Sequence, residues 1–323
     1  MWPFSTGHHG LWLVLYLVTW ALHAVFVGYV LVGSAYALVQ VLRRAEDPIA
    51  ERARDLLPFM LGCGITAGVA PLLFLQLLYQ ERFYTANLLL GPRWGAVVPA
   101  LIAGFYALYL AKATTSRRWR TLALATAVGA FLFVAWSWTE LHLVMRDQAA
   151  WQAMYGAGDR LYGQGDVIPR LLLWLGAMPI LFATVSLWLC PPSVDRRRLA
   201  MIAVAGHVVA GTAVAWIVSR GGGIDHAHGW LYLLVVAVAI ELGAWLWIVR
   251  APSSAGPTLV TAATTAALLA GAVVREAPRL TLLEPAREAA RGAAGFPVFA
   301  ATTMFGILAI VLVWRTIKSA RPD

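Results

Sequence analysis

Three ionisable side chains lie deep inside long apolar stretches of the sequence: His23, His207 and Glu241. Each lies about twelve residues, or roughly 18 Å of helix, from the end of its stretch that faces one common side of a membrane. An ionisable group within hydrocarbon is costly, so each residue is a candidate for function. Two imidazoles from facing helices can hold a b-type haem, because each neutral ring nitrogen can take one axial position of the iron.

The same three residues also have a structural interpretation. His23 and His207 can form hydrogen bonds between helices, as buried polar side chains in membrane proteins often do. Glu241 can relay protons, act as the partner of a histidine, or remain a satisfied buried acid, and its position favours none of these roles.

A second group of candidates lies near the end of another apolar stretch. His142 falls just inside the predicted membrane boundary, where its imidazole is a candidate ligand for haem iron. Trp138 precedes it by four residues on the same helix face, where it can pack against a flat cofactor or belong to the core. Glu140 is only two residues from His142, so it points to a different face and is a second candidate for a proton relay.

Two arginines, Arg275 and Arg279, follow the eighth apolar stretch. Guanidinium groups bind carboxylates through paired hydrogen bonds, so these arginines are candidates for binding haem propionates. They can also bind the acidic surface of a partner protein. The structural alternative is a cluster of arginines that extend from a helix end towards the membrane interface.

The composition places all of these residues in a membrane protein. Of the 323 residues, 60% are hydrophobic and 13% are charged, whereas a soluble domain has about 25% charged residues. Soluble, disordered and fibrous classes are therefore excluded, and an all-α, multi-pass membrane protein with one domain over residues 1–323 is predicted. About nine apolar stretches have lengths suited to a membrane span: 11–42, 57–79, 94–113, 121–145, 169–190, 199–219, 229–249, 258–274 and 296–316.

Basic residues between these stretches predict the orientation. With nine alternating spans, 15 of the 25 Lys and Arg residues lie on one side and 10 on the other. The positive-inside rule then places the N-terminus outside and the C-terminus in the cytoplasm, as in a bacterial-type inner membrane. Because the basic residues lie at span ends, the net charge of +9 indicates lipid bilayer contact and no nucleic-acid partner. Neither Cys63 nor Cys190 belongs to a C-x-x-C-H element, so covalently attached c-type haem is not expected.

Taken together, the histidine positions and the span pattern resemble subunit I of the cytochrome bd oxidase superfamily, a nine-helix haem protein with its N-terminus outside. His23 occupies the position of that family's first-helix haem ligand. The other similarities are short motifs spread over most of the chain: Gly64-x-x-x-Gly68 in the second span, Gly176-Ala177-Met178 and Ser186-Leu187-Trp188 in the fifth, and Arg275-Glu276-Ala277-Pro278-Arg279 after the eighth.

The sequence also departs from the pattern of this family. The third span has no glutamate, the fifth has Pro169-Arg170 near the position of the low-spin haem histidine, and the seventh has no methionine. Only about ten residues join the sixth and seventh spans, so the long quinol-binding loop of the family is missing. The resemblance therefore implies a divergent member in which His23 alone carries over, with His142 and His207 as candidate new ligands.

The function that this resemblance implies is electron transfer. We expect a membrane subunit of a respiratory complex that binds one or two b-type haems and relays electrons between a periplasmic cytochrome c and other membrane subunits. Quinone is a further candidate partner, and any enzymatic activity is expected to be that of an oxidoreductase. Two alternatives stay open: a divergent bd-type terminal oxygen reductase, and a haem-free scaffold or proton-path subunit that uses Glu241 and the histidines.

Overall fold

The computed structural model describes residues 8–157, 162, 165–191, 193–221, 228–251 and 256–282, together with residues 301, 304, 305 and 308. The chain divides into two compact units, Met1–Leu283 and Glu284–Asp323. Every regular element among these residues is helical, which confirms the predicted all-α class. The described residues of the second unit are also helical.

The first unit is a succession of α-helices that ends in a 3-10 turn. In chain order the elements are α1 (His8–Arg43), α2 (Pro48–Leu78), α3 (Gln80–Leu90), α4 (Pro92–Gly95), α5 (Val97–Ala113), α6 (Arg117–Val144), α7 (Ala150–Ala157), α8 (Val167–Leu189), α9 (Arg196–Ser219), α10 (His228–Arg250), α11 (Gly256–Glu276) and the 3-10 turn Ala277–Leu282.

Eight segments in the described part of the chain are long and apolar enough to cross a membrane, which supports the prediction of a multi-pass membrane protein. They correspond to the first eight predicted stretches: Gly10–Arg43, Pro48–Leu78, Pro92–Ala113, Arg117–Val144, Val167–Leu189, Arg196–Ser219, Gly229–Arg250 and Gly256–Leu280. The predicted ninth span, 296–316, lies outside the described residues apart from 301, 304, 305 and 308. The short helices α3 and α7, which connect spans, were not predicted.

The junction between α1 and α2 is built from two local hydrogen-bonding patterns. Arg44 adopts a left-handed conformation with a φ of 56°, and the Ala45 amide donates to the Gln40 carbonyl at 3.0 Å. This Schellman-type ending satisfies carbonyls that α1 leaves without a partner. The Asp47 side chain then accepts from the backbone amides of Ile49 and Ala50 and caps α2, with Pro48 in the first turn.

Asp47 also ties three helices together at one end of the bundle. Its second carboxylate oxygen accepts from the Tyr36 hydroxyl at 2.9 Å and from Arg198 of α9 at 2.8 Å. Asp47 is only 3% exposed, so its charge depends on these donors. We call this the Asp47 end, and the opposite end of the same helices the Glu276 end.

Close backbone contact joins α8 and α9. A Cβ atom placed on Gly176 would lie 2.4 Å from the Ala210 amide nitrogen, and one placed on Gly206 would lie 2.6 Å from the Gly176 carbonyl oxygen. Small residues allow this separation, which dispersion contacts between helices then stabilise. Helix α8 packs against both α1 and α9, while α10 packs against α9 and α11. The helices that carry His207 and Glu241 are therefore neighbours.

We predict that Asp47→Ala lowers the free energy of unfolding by about 2–4 kcal/mol, because it removes a helix cap and two partly buried side-chain hydrogen bonds. The matched control is Asp195→Ala, which removes an exposed cap that accepts one bond, from the Arg197 amide. That variant should lose about 1 kcal/mol or less. Thermal unfolding in detergent, followed by circular dichroism, compares the two. Equal losses would contradict the role assigned to Asp47.

Candidate functional site

A buried carboxylate organises the Glu276 end of the bundle. Glu276, the last residue of α11, is fully buried. It accepts a hydrogen bond from the Tyr79 hydroxyl at 2.6 Å and bonds from Arg275 and Arg279 at 3.3 and 3.1 Å. Burial and the nearby Glu276 charge raise the pKa of Tyr79 well above its usual value, so its phenol stays protonated and donates.

Local chain geometry places both arginines on the same carboxylate. Pro278 has no backbone N–H, so α11 ends at Glu276 and the chain continues as a 3-10 turn. Arg279 therefore lies three residues beyond Glu276, a spacing that brings side chains together.

Aromatic rings hold the Arg275 side chain. Its guanidinium carbon lies 4.1 Å from the centre of the Trp20 ring and 5.7 Å from the centre of the Trp174 ring. One of its amino groups donates to the Tyr16 hydroxyl at 2.9 Å. Cation–π contacts of this kind stabilise a desolvated guanidinium by about 2 kcal/mol. Arg275 is therefore held in place by α1 and α8 as well as by Glu276.

Positive charge exceeds negative charge in this cluster. Arg146 and Arg170 lie close enough to Arg279 to interact with it electrostatically. Burial, together with the charges of Arg170 and Arg279, lowers the pKa of Arg146 from its usual value. Glu276 offsets one of these charges, and Asp166 acts on Arg146 and Arg170, so the net positive charge that remains favours the binding of an anion.

His142 lies at the edge of the same cluster. Its imidazole is 7% exposed, and the charges of Arg279, Arg275 and Arg170 act on it. Nδ1 lies 3.2 Å from the Trp138 carbonyl oxygen, to which it donates because a carbonyl can only accept. In the neutral ring Nε2 then carries the lone pair, and this atom is buried without a hydrogen-bond partner.

Several nitrogen atoms around His142 share this lack of a partner. Besides His142 Nε2, the buried atoms without hydrogen bonds are Nε and Nη1 of Arg275, Nε of Arg279 and Nε of Arg170. Buried polar groups are nearly always hydrogen-bonded in folded proteins, so a group of such atoms in one place needs an explanation. A ligand that combines a metal ion with carboxylates would satisfy both the imidazole and the guanidinium groups.

His23 lies elsewhere, at the contact between α1 and α2. Its Nδ1 donates to the Gly64 carbonyl at 2.8 Å. A Cβ atom on Gly68 would lie 2.7 Å from the imidazole, so the absence of a side chain there makes room for the ring. In the Gly64-x-x-x-Gly68 motif, Gly64 thus accepts a hydrogen bond from His23 and Gly68 leaves space for its ring. A histidine that donates through Nδ1 to a carbonyl presents Nε2 as an acceptor, the arrangement typical of metal-ligating histidines.

His207 and Glu241 form a pair between α9 and α10. Nε2 of His207 lies 3.4 Å from Oε2 of Glu241, and both side chains are almost fully buried. The Thr264 hydroxyl donates a short hydrogen bond to the other carboxylate oxygen of Glu241. The structure therefore gives His23 and His207 different partners on different helices and does not bring them together.

Glu140, the second relay candidate, is ion-paired. Its carboxylate lies 2.6 Å from Arg93, at the start of the third span, and is 1% exposed. It contacts α4, whereas His142 lies beside Arg275 and Arg279, so the two residues face different neighbours. In the described part of the chain no group of three or more His, Cys, Asp or Glu side chains has a metal-binding arrangement.

Comparison with known proteins finds no matching family model and no significant match to a curated protein. The resemblance to cytochrome bd subunit I therefore stays a prediction based on residues and helix pattern.

Of the site residues predicted from the sequence, the structure brings together His142, Arg275 and Arg279. Sequence reasoning missed the residues that support them, namely Tyr16, Trp20, Tyr79, Arg146, Arg170 and Trp174, and the threonines beside Glu241. The sequence features that could have identified the polar ones are the arginines that flank the apolar stretches and the hydroxyl groups that lie inside them.

We predict that Gly68→Ala displaces His23 from the Gly64 carbonyl and lowers the free energy of unfolding by about 1–3 kcal/mol. The matched control is Gly62→Ala on the same helix, where an added Cβ atom meets nothing within 4 Å. Alanine should be neutral or slightly stabilising there, because glycine is the poorer helix former. Thermal unfolding in detergent distinguishes them, and equal stability of the two variants would contradict the packing of His23 against Gly68.

Proposed function

We propose that the chain is a membrane subunit of a respiratory complex that binds b-type haem and transfers electrons between a periplasmic cytochrome c and other membrane redox components. The observation that carries this proposal is His142, whose buried Nε2 has no partner and lies near the unpartnered N–H groups of Arg275 and Arg279. Haem offers an iron that binds imidazole and propionates that bind guanidinium groups.

The residues present fit this cofactor. When bound, haem supplies reversible one-electron chemistry at its iron. His142 would hold its iron through Nε2, because the bond from Nδ1 to the Trp138 carbonyl fixes the ring and leaves Nε2 as the acceptor. The Trp138 ring, centred 4.8 Å from the imidazole, and Trp94 stacked on it provide aromatic surface beside this position.

Arg275 and Arg279 would hold the propionates. Both are anchored by Glu276, and Arg275 is further fixed by Trp20. Less side-chain entropy is therefore lost when an anion binds than with free surface arginines. Their remaining N–H groups are available to carboxylate oxygens, and the excess positive charge of the cluster makes the binding of an anion favourable.

In this proposal the Glu276 end faces the periplasm. The loops at the Asp47 end carry most of the basic residues of the first unit, including Arg43, Arg44 and Arg196–Arg198. The positive-inside rule assigns such an end to the cytoplasm of a bacterial-type inner membrane. The cluster around His142 is then on the side from which a periplasmic cytochrome c approaches.

His23 is the candidate ligand for a second haem. Its Nε2 is the free acceptor of a ring fixed by Gly64, as the resemblance to the bd family implies. His207 is not a ligand in this proposal, because its Nε2 faces Glu241. One haem at His142, or two with His23, is therefore the expected content.

The test is His142→Ala in the full-length chain, purified in detergent. His142→Ala should remove the haem that this residue holds, so the haem content per chain should fall at least about tenfold if one haem binds and by about half if two bind, measured by a pyridine haemochrome assay and by the reduced-minus-oxidised spectrum. His207→Ala is the matched control and should retain the haem, because that imidazole is already paired with Glu241. Normal haem content in His142→Ala would contradict His142 as the ligand.

A further inference from the structure

His207 and Glu241 are two ionisable groups that the proposed haem site does not use. His207 lies near the middle of α9, and Glu241 lies near the middle of α10. At 1.5 Å per residue both are at least about 13 Å from either end of their helices, and so near the centre of the bilayer. Groups at this depth must be neutral or satisfy each other.

One hydrogen bond fixes the position of one imidazole hydrogen. Nδ1 of His207 lies 2.9 Å from the Ala203 carbonyl oxygen, so Nδ1 carries a hydrogen and donates. In a neutral imidazole Nε2 then holds a lone pair. This atom is buried and has no hydrogen-bond partner, although Oε2 of Glu241 is only 3.4 Å away.

The carboxylate is held in place by hydroxyl groups from two more helices. Thr264 of α11 donates to Oε1 of Glu241, and the Thr184 hydroxyl of α8 lies 3.1 Å from that of Thr264. Thr184 is also bonded to the Ile180 carbonyl at 2.8 Å. Since this chain of hydroxyls ends at a carbonyl, which cannot pass a proton on, it orients Glu241 and leaves Oε2 facing His207.

Two acceptors thus face each other across a gap that one proton would bridge. When His207 is neutral and Glu241 is ionised, the pair carries one negative charge. One added proton, on Nε2 or on Oε2, would make an N–H···O or O–H···N hydrogen bond and bring the net charge of the pair to zero. The other Arg, Lys, Asp and Glu residues of α8, α9, α10 and α11 lie in the terminal turns of these helices: Arg170, Arg196–Arg198, Arg250, Arg275 and Glu276. In the described part of these helices, therefore, a proton is the species that balances the Glu241 charge.

We propose that His207 and Glu241 form a proton-binding site at the centre of the bilayer, which takes up one proton when an electron enters the haem of the proposed function. This inference rests on that function. The step balances, because the reductant supplies one electron to the iron and the aqueous phase supplies one proton to the pair. The total charge inside the membrane then stays constant, which is what a low-dielectric interior favours.

Helix α11 connects this pair with the haem candidate. Thr264, which is bonded to Glu241, precedes Arg275 by eleven residues, a distance of about 16 Å along the helix. Charges separated by this distance still interact when little water lies between them, since salt screens buried charges weakly.

The experiment is a reduced-minus-oxidised infrared difference spectrum of the full-length chain in phosphatidylcholine vesicles, with proton uptake measured by a pH-indicator dye. Reduction with dithionite should produce the C=O band of a protonated carboxyl group, shifted in D₂O, and a measurable uptake of protons per haem. Glu241→Gln should abolish the band and reduce the uptake at least about threefold.

Two further variants keep the inference testable if Glu241→Gln fails to fold. Thr264→Val should shift the carboxyl band, because it removes the hydrogen bond to Oε1, and His207→Gln should reduce the uptake. Glu81→Gln, an exposed acid on α3, is the control and should change neither signal. A normal haem spectrum with an unchanged band and uptake in Glu241→Gln would overturn this inference alone. A chain without haem would overturn the proposed function and this inference with it.

Discussion

An isolated charge inside a hydrocarbon layer is so unfavourable that each buried ionisable group needs a partner within the protein. In this chain Glu276 meets that requirement for the Glu276 end, since it accepts hydrogen bonds from Tyr79, Arg275 and Arg279. These bonds join the junction of α2 and α3, the end of α11 and the turn that follows α11. Glu276 neutralises only part of the surrounding positive charge, and in our proposal the groups that remain without a partner bind the ligand.

The same constraint explains the other polar contacts between helices. At the Asp47 end a buried carboxylate is shared by a helix cap, Tyr36 and Arg198, which secures the junctions of α1, α2 and α9. At the centre, Glu241 is held by Thr264 and faces His207. Glu276 and Asp47 have charged partners, whereas the carboxylate at the centre of the bundle has an imidazole. For this reason we propose proton binding for the central pair and a structural role for the other two carboxylates.

Much of the architecture was predictable because apolar length alone decides where helices cross a bilayer. Eight of the predicted spans correspond to helices, and Asp47-Pro48 is a recognisable helix start. The neighbours of each polar residue were not predictable, since they depend on helix rotation and packing. The sequence places His23 and His207 at the same predicted depth in the membrane. Their partners nevertheless come from different helices, α2 for His23 and α10 for His207. Spacing along one helix predicted that Glu140 and His142 face different neighbours, whereas the contact of Arg275 with Trp20 depends on residues far apart in the sequence.

The proposed function requires that the wild-type chain binds b-type haem. A pyridine haemochrome assay on the purified full-length protein, combined with a reduced-minus-oxidised absorption spectrum, tests this most directly. We expect a b-type signal that corresponds to one or two haems per chain. The contradicting result is a protein that contains no haem, although it was expressed with sufficient haem and circular dichroism shows that it is folded. The buried arginine cluster would then be without its proposed ligand.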